Sequence, residues 1–198
     1  MTIYLFSDTH FFHDKIAQLR GFSNYEQHDK QLIRNINKLV NANDDLYLLG
    51  DIVMASNGKT WSDNLSIVNR LNGHKHLIVG NHDRCAPNNK NGHKYKDVFL
   101  QYFDTVSEYA EISYNGQSFV LSHYPYDETD KGFIGAAANS SDYEQYQLRD
   151  LGKPVIHGHT HSGQLLTHSQ LGTPQINVNA ESTNLKPVII NDVLKLIQ

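Results

Sequence analysis

A lone cysteine, Cys85, leaves no partner for an internal disulfide, and a disulfide-stapled secreted scaffold is excluded. Long apolar runs are absent as well. None approaches the ~20 residues that a membrane-spanning helix needs, so no membrane partner is expected. No charge of one sign dominates either. Against 21 Asp+Glu stand 17 Lys+Arg, a formal net charge of −4, which argues against coating nucleic acid through bulk charge. The residues from Met1 to Asp8 have neither the basic start nor the long apolar stretch of a signal peptide, and a cytoplasmic location is expected. What remains is an ordinary globular composition, 39% hydrophobic and 19% charged, too apolar for a disordered chain. The 198 residues suit one domain covering 1–198.

Glutamate is the scarce acid: 6 against 15 Asp, beside 12 His and 19 Asn. Asp, Asn and His favour turns and strand ends, and they are also short-armed metal ligands. A biased genome, such as a low-GC bacterial or phage one, would inflate Asn without any site. Position decides between the two.

The chain opens with a β-branched and aromatic run at 2–6, a strand signal. Helical spacing over 27–40 (Leu32, Ile33, Ile36, Leu39, Val40) is followed by a strand at 46–49, helical spacing again at 61–71, and a third strand at 77–79. Strand–helix–strand–helix–strand indicates a parallel αβ arrangement. The second half is strand-rich. Residues 108–113 and 118–122 flank Asn115-Gly116, a strong hairpin signal, and further strands are expected at 155–157, 175–178 and 188–197. The stretch 124–150 between them reads as a long loop with a helix near 142–151.

Strand after strand ends in metal-ligand residue types: Asp8-Thr9-His10, Gly50-Asp51, Gly80-Asn81-His82-Asp83, Ser122-His123 and Gly158-His159-Thr160-His161. Ligands bind beyond the carboxyl ends of strands in αβ sheets, so these residues can converge in one crevice. Asp8 and His10, like His159 and His161, are i, i+2 pairs that share a face if the backbone is extended. The glycines before Asp51, Asn81 and His159 permit tight turns and close backbone approach. A lone D-x-H or Gly-Asp is weak evidence, usually only a turn. Five such signals at successive strand ends are far more specific.

This series resembles the calcineurin-like metallophosphoesterase superfamily, in the form of a small bacterial or phage-type phosphoesterase. The resemblance spans Asp8 to His161 and implies an α/β fold, a two-sheet αββα sandwich. It implies one metal held by Asp8, His10, Asp51 and His161, and a second held by Asp51, Asn81, His123 and His159, with Asp51 as the bridge. His82 matches the catalytic histidine of that family.

Phosphate esters are very slow to hydrolyse in water. Two cations about 3.5–4 Å apart can clamp the attacking and departing oxygens and supply hydroxide near neutral pH. Mixed nitrogen and oxygen ligands suit Mn, Fe, Zn, Ni or Co better than Mg or Ca, and Mn²⁺ is the expected pair of ions. The protein serine/threonine phosphatases of the superfamily follow Gly-Asp with a further Asp, Arg and Gly, where this chain has Ile52-Val53-Met54-Ala55-Ser56, with neither acid nor Arg. They also carry Arg where Val79 stands. The implied substrate is therefore a phosphodiester of nucleotide type or another small phosphate ester. A small nuclease, a broad phosphomonoesterase and a non-catalytic scaffold of the same fold are the alternatives. Arg84 is the candidate substrate-binding cation, in a stretch (84–96) that also carries Lys90, Lys94 and Lys96 and no acidic residue. Tyr124, Tyr126, Tyr143 and Tyr146 could stack on a base or simply pack a loop. His13 stays open between the site and the surface. His28, His74, His76, His93 and His168 read as surface or local hydrogen-bonding residues, His157 as core or support, and Cys85 as a small buried hydrophobe.

Overall fold

The computed structural model describes residues 1–55, 58, 60–127 and 143–198. The elements in chain order are β1 (Ile3–Phe6), α1 (Asp14–Leu19), α2 (Tyr25–Leu39), β2 (Asp45–Leu48), α3 (Trp61–Leu65), β3 (His74–Ile78), α4 (Lys96–Phe99) and β4 (Thr105–Ser107). There follow β5 (Tyr109–Tyr114), β6 (Gln117–Ser122), β7 (Val155–His157), β8 (Leu166–His168), β9 (Pro174–Asn177), β10 (Val188–Ile189) and α5 (Ile190–Leu196). They build two five-stranded sheets, ordered β10-β1-β2-β3-β4 and β5-β6-β7-β9-β8.

β1 to β4 run parallel, as the alternation of strands and helices requires, and β10 closes the edge antiparallel to β1. α2 starts where the Asn24 side chain accepts the Gln27 N–H at 3.0 Å, an N-cap, and it buries Leu32, Ile33 and Ile36. That face packs with Phe6, Leu46, Leu48 and Leu77 on one side of the first sheet. The alternate residues Leu5, Leu49 and Ile78 join Phe119, Leu121, Ile156 and Ile176 of the second sheet in a separate core between the sheets. The two-residue period of the strands thus feeds two cores from one sheet. Truncating the fully buried Phe119 to alanine would cost about 3–5 kcal/mol. The hairpin joins β5 to β6 through Asn115 (φ 48°) and Gly116 (φ 82°), both left-handed as a type I′ turn demands. The α/β two-sheet sandwich implied by the sequence is the observed architecture.

Several element assignments change. The expected strand at 188–197 is a strand only over Val188–Ile189. It continues as α5, whose buried Ile190, Val193 and Leu194 follow helical i, i+3, i+4 spacing that a strand reading overlooks. Helical residues 61–71 divide into α3 and a 3₁₀ turn, Ser66–Arg70. The helix expected near 142–151 is a single 3₁₀ turn, Glu144–Tyr146, among the described residues, and Asp142 lies outside them. α1, β4 and β8 are too short to carry a periodic signal, and sequence reasoning missed them.

Candidate metal centre

Every parallel strand that carries a motif in the first sheet stops beside the same crevice. Asp8 and His10 sit on the loop after β1, Asp51 after β2, and Asn81 and His82 after β3. His123 follows β6, and His159 and His161 follow β7. The backbone is unusual there. Asp8, His10, Asp51, His159 and His161 all have φ between 45° and 68°, the left-handed region that side chains other than glycine rarely adopt. So the i, i+2 pairs do not converge by sharing one face of an extended strand, as the spacing suggested. They converge because each ligand-type residue occupies a tight turn held by its neighbours. Asp8 N–H donates to the Gly50 carbonyl at 3.1 Å, His10 N–H to the Asp51 carbonyl at 2.9 Å, and His159 N–H to Asp8 Oδ2 at 2.9 Å. The glycines behave as the sequence implied. A Cβ on Gly80 would strike the Asp51 carboxylate, and one on Gly158 would strike Ser7 and Asp8.

Asp8, His10 and His161 form one group whose ligand atoms could hold a cation, and Asp8, Asp51 and His123 form another. His10 Nε2 lies 3.1 Å from His161 Nε2 and 3.8 Å from Asp8 Oδ1. Asp51 Oδ2, in the second group, lies 3.7 Å from His10 Nε2 of the first and 3.7 Å from His123 Nε2 of its own. Asn81 Oδ1 faces His123 Nε2 and His159 Nδ1, each at 3.0 Å. Asp8 belongs to both groups, which the sequence did not suggest. Its Oδ1 is buried and has no hydrogen-bond partner. A buried carboxylate oxygen left so costs roughly 1–3 kcal/mol or more, unless a cation answers it. The donor set therefore fits divalent metal.

Residues 1–180 match the family model described as the calcineurin-like phosphoesterase superfamily domain. The chain belongs to that superfamily. The Gene 66 protein of Mycobacterium phage L5 is 33% identical over 184 residues, 89% of this chain and 84% of that protein. The uncharacterized protein MJ1445 of Methanocaldococcus jannaschii is 33% identical over 200 residues, 99% of this chain and 91% of its own length. The crystal structure of AQ665, a protein of unknown function from Aquifex aeolicus, superposes with a TM-score of 0.63 at 28% identity and covers 98% of both chains.

Electrostatics in this phosphoesterase domain divide the ligand-type residues: His10, His159 and Asp51 are shifted towards their deprotonated forms, whereas burial raises Asp8, and His161, which burial alone would lower, is raised by its contact with Glu181 and by Asp8. Burial holds the His10 imidazole well below its ordinary pKa, and the neighbouring His161 adds to the effect. Burial, then His123, pushes His159 down to about 3. Neutral imidazoles are the metal-binding form. Burial alone would raise Asp51, but His123, His82 and the His82 N–H, which donates to Asp51 Oδ1 at 2.8 Å, hold it below the ordinary carboxylate value. Burial lowers His123, and the charges of Asp51 and Asp8 more than reverse that.

Other residues fall differently. Asp83 serves the backbone. It is buried, and its carboxylate accepts the N–H groups of Gly80 (2.8 Å), Asp51 (3.0 Å) and Ile52 (3.0 Å), tying the loops after β2 and β3 together. Arg84 is exposed, with its guanidinium 5.5 Å from the Tyr95 ring centroid. His13 caps α1, its Nδ1 accepting the Ile16 N–H, and its ring lies 5.8 Å from that of His10. Cys85 is a buried hydrophobe whose thiol pKa is raised by burial. His28 is wholly buried, paired with Asp29 at 2.9 Å. Sequence reasoning missed Arg20 and Glu181. The signal for Glu181 was present, because β9 also ends in a polar run, Asn179-Ala180-Glu181.

Proposed function

We propose that the protein is a binuclear metal-dependent phosphoesterase acting on phosphodiesters of nucleotide type. One observation carries this: Asp51 Oδ2 lies equidistant, at 3.7 Å, from His10 of one ligand group and His123 of the other. Asp8, His10, Asp51 and His161 would hold one cation, and Asp51, Asn81, His123 and His159 the other. When bound, two divalent cations supply hydroxide from water near neutral pH and neutralise charge on the phosphoryl oxygens. Mixed nitrogen and oxygen donors favour Mn²⁺, Fe, Zn, Ni or Co.

His82 stands at the rim. Its side chain is nearly half exposed, with Nε2 4.0 Å from Asp51 Oδ2 and its ring 5.6 Å from that of His10. From there it can hold a proton for the departing oxygen. With no arginine at Val79 or in 52–56, those positions lack the bidentate clamp of the serine/threonine phosphatases, which suits phosphodiesters or small phosphomonoesters. A stack of tyrosines supports a substrate with a flat ring. Tyr124 lies 5.8 Å from Tyr143 and 6.4 Å from Tyr146, and its edge meets His159 at 4.8 Å. Tyr124 and Tyr146 also line a cavity of about 230 Å³ with Gln145 and Gln147.

The test compares bis-p-nitrophenyl phosphate, p-nitrophenyl phosphate and single-stranded DNA with added Mn²⁺. Turnover of the diester above the monoester is expected. Monoester cleavage without diester cleavage would replace this reading with a phosphomonoesterase, preference for DNA with a nuclease, and no turnover of any with a scaffold.

A further inference from the structure

Arg20 and Glu181 belong to none of the five strand-end motifs, yet they meet directly behind His161. Arg20 caps the C-terminal end of α1. Its Nε donates to Glu181 Oε1 at 2.8 Å, and its remaining N–H groups reach the carbonyls of Asp8 at 2.8 Å and Thr9 at 3.3 Å. Glu181 Oε1 also lies 3.1 Å from His161 Nδ1. Both side chains are largely buried.

The connection continues on the other side of Arg20. One guanidinium nitrogen lies 3.0 Å from His28 Nε2. His28 Nδ1 lies 2.9 Å from Asp29 Oδ1, and Asp29 Oδ2 accepts the Phe12 N–H at 2.9 Å. A line of polar contacts thus joins the loop bearing Asp8 and His10 to the loop bearing His161. Asp8, His10, Phe12 and His161, which these contacts brace, all have left-handed backbones. Such conformations cost of order 1–3 kcal/mol each and persist only where the surroundings impose them.

A buried ion pair is a weak way to stabilise a fold, because desolvation offsets most of its attraction. Here it does something an apolar pair could not. A carboxylate at Nδ1 favours the Nδ1–H tautomer, which leaves the Nε2 lone pair of His161 aimed at His10 Nε2 and at Asp8 Oδ1, 3.7 Å away. Arg20 Nε holds that same oxygen, Glu181 Oε1, in place for the contact.

We propose that Arg20 and Glu181 are positioning residues that fix the tautomer and orientation of His161, so that they set the cation affinity of the Asp8–His10–His161 group and not that of the Asn81–His123–His159 group. The metal part of this statement rests on the binuclear reading above, whereas the tautomer part does not. Two measurements test it. Nitrogen-15 imidazole spectra of the metal-free protein, at a pH where His161 is neutral, should show His161 as the Nδ1–H tautomer in the wild type and as a mixture or the Nε2–H form in Glu181→Ala. Calorimetric titration with Mn²⁺ should show one site weakened about 10–100-fold in Glu181→Ala and the other changed by less than about threefold. Glu181→Gln keeps an oxygen acceptor for Nδ1–H and should recover most of the loss. An unchanged tautomer in Glu181→Ala overturns the proposal, and so does equal weakening of both sites or of neither. Should the wild type bind no metal, the binuclear reading fails, and the tautomer measurement still decides whether Glu181 orients His161.

Discussion

His10 and His161 present their Nε2 atoms to each other at 3.1 Å, and Asp8 Oδ1 is 3.8 Å from the first and 3.7 Å from the second. Two imidazole nitrogens and a buried carboxylate oxygen that has no hydrogen-bond partner converge here. A divalent cation satisfies all three atoms at once. Mn²⁺ should therefore stabilise the folded chain. At a hundred times its dissociation constant a ligand adds about 2.7 kcal/mol per site. For a chain of this size each kcal/mol raises Tm by roughly 2–4 °C. Scanning fluorimetry of stripped protein with and without Mn²⁺ should show a rise of at least about 5 °C. No shift at saturating Mn²⁺ would rule out the metal centre.

Asp51 and His82 should separate metal binding from turnover. Asp51 faces both ligand groups, so Asp51→Asn should lower the occupancy of both cations as read by elemental analysis. His82 lies at the rim, and His82→Ala should retain the metal content while losing at least about a hundredfold in diester turnover. Full activity in His82→Ala, or unchanged stoichiometry in Asp51→Asn, would contradict these roles.

Asp83 shows why part of the site was legible in the sequence and part was not. The motif Gly80-Asn81-His82-Asp83 was visible, and so were the glycines that let Gly50 and Gly80 approach His123 and Asp51. The work of Asp83 was not visible, because its three N–H partners come partly from a loop about 30 residues away in sequence. The same holds for Glu181, whose partners Arg20 and His161 are 161 and 20 residues distant. Strong periodicity or turn chemistry made β1, α2 and the β5–β6 hairpin readable. α5 was misread because a short run of Val and Ile satisfies a strand and a buried helix equally well.

Removing the Asp83 carboxylate should loosen the floor of the site. Each of the N–H groups of Gly80, Asp51 and Ile52 would lose a partner. At about 1–3 kcal/mol per unsatisfied buried group, Asp83→Ala should lose about 3 kcal/mol or more by urea unfolding. A loss below about 1 kcal/mol would mean that water replaces the carboxylate freely.

His157 supplies a pH dependence. Burial lowers its pKa from 6.5 to about 4, its Nδ1 lies 2.9 Å from the Gly158 carbonyl, and its Nε2 has no hydrogen-bond partner. The folded state thus resists a proton that the unfolded chain accepts. The contribution is fully present above pH 6.5 and is lost as pH falls towards 4, by about 3 kcal/mol in total. His157→Leu does not titrate there, so metal-free wild type should lose stability relative to this variant across that window. Parallel stability curves would show that His157 is not held neutral.

The claim that two cations share Asp51 is open to direct observation. Crystals grown or soaked with Mn²⁺ can be measured on both sides of the manganese absorption edge. Two anomalous peaks should flank the Asp51 carboxylate, one among Asp8, His10 and His161 and the other among Asn81, His123 and His159. A single peak, or peaks away from Asp51, would contradict the shared bridge.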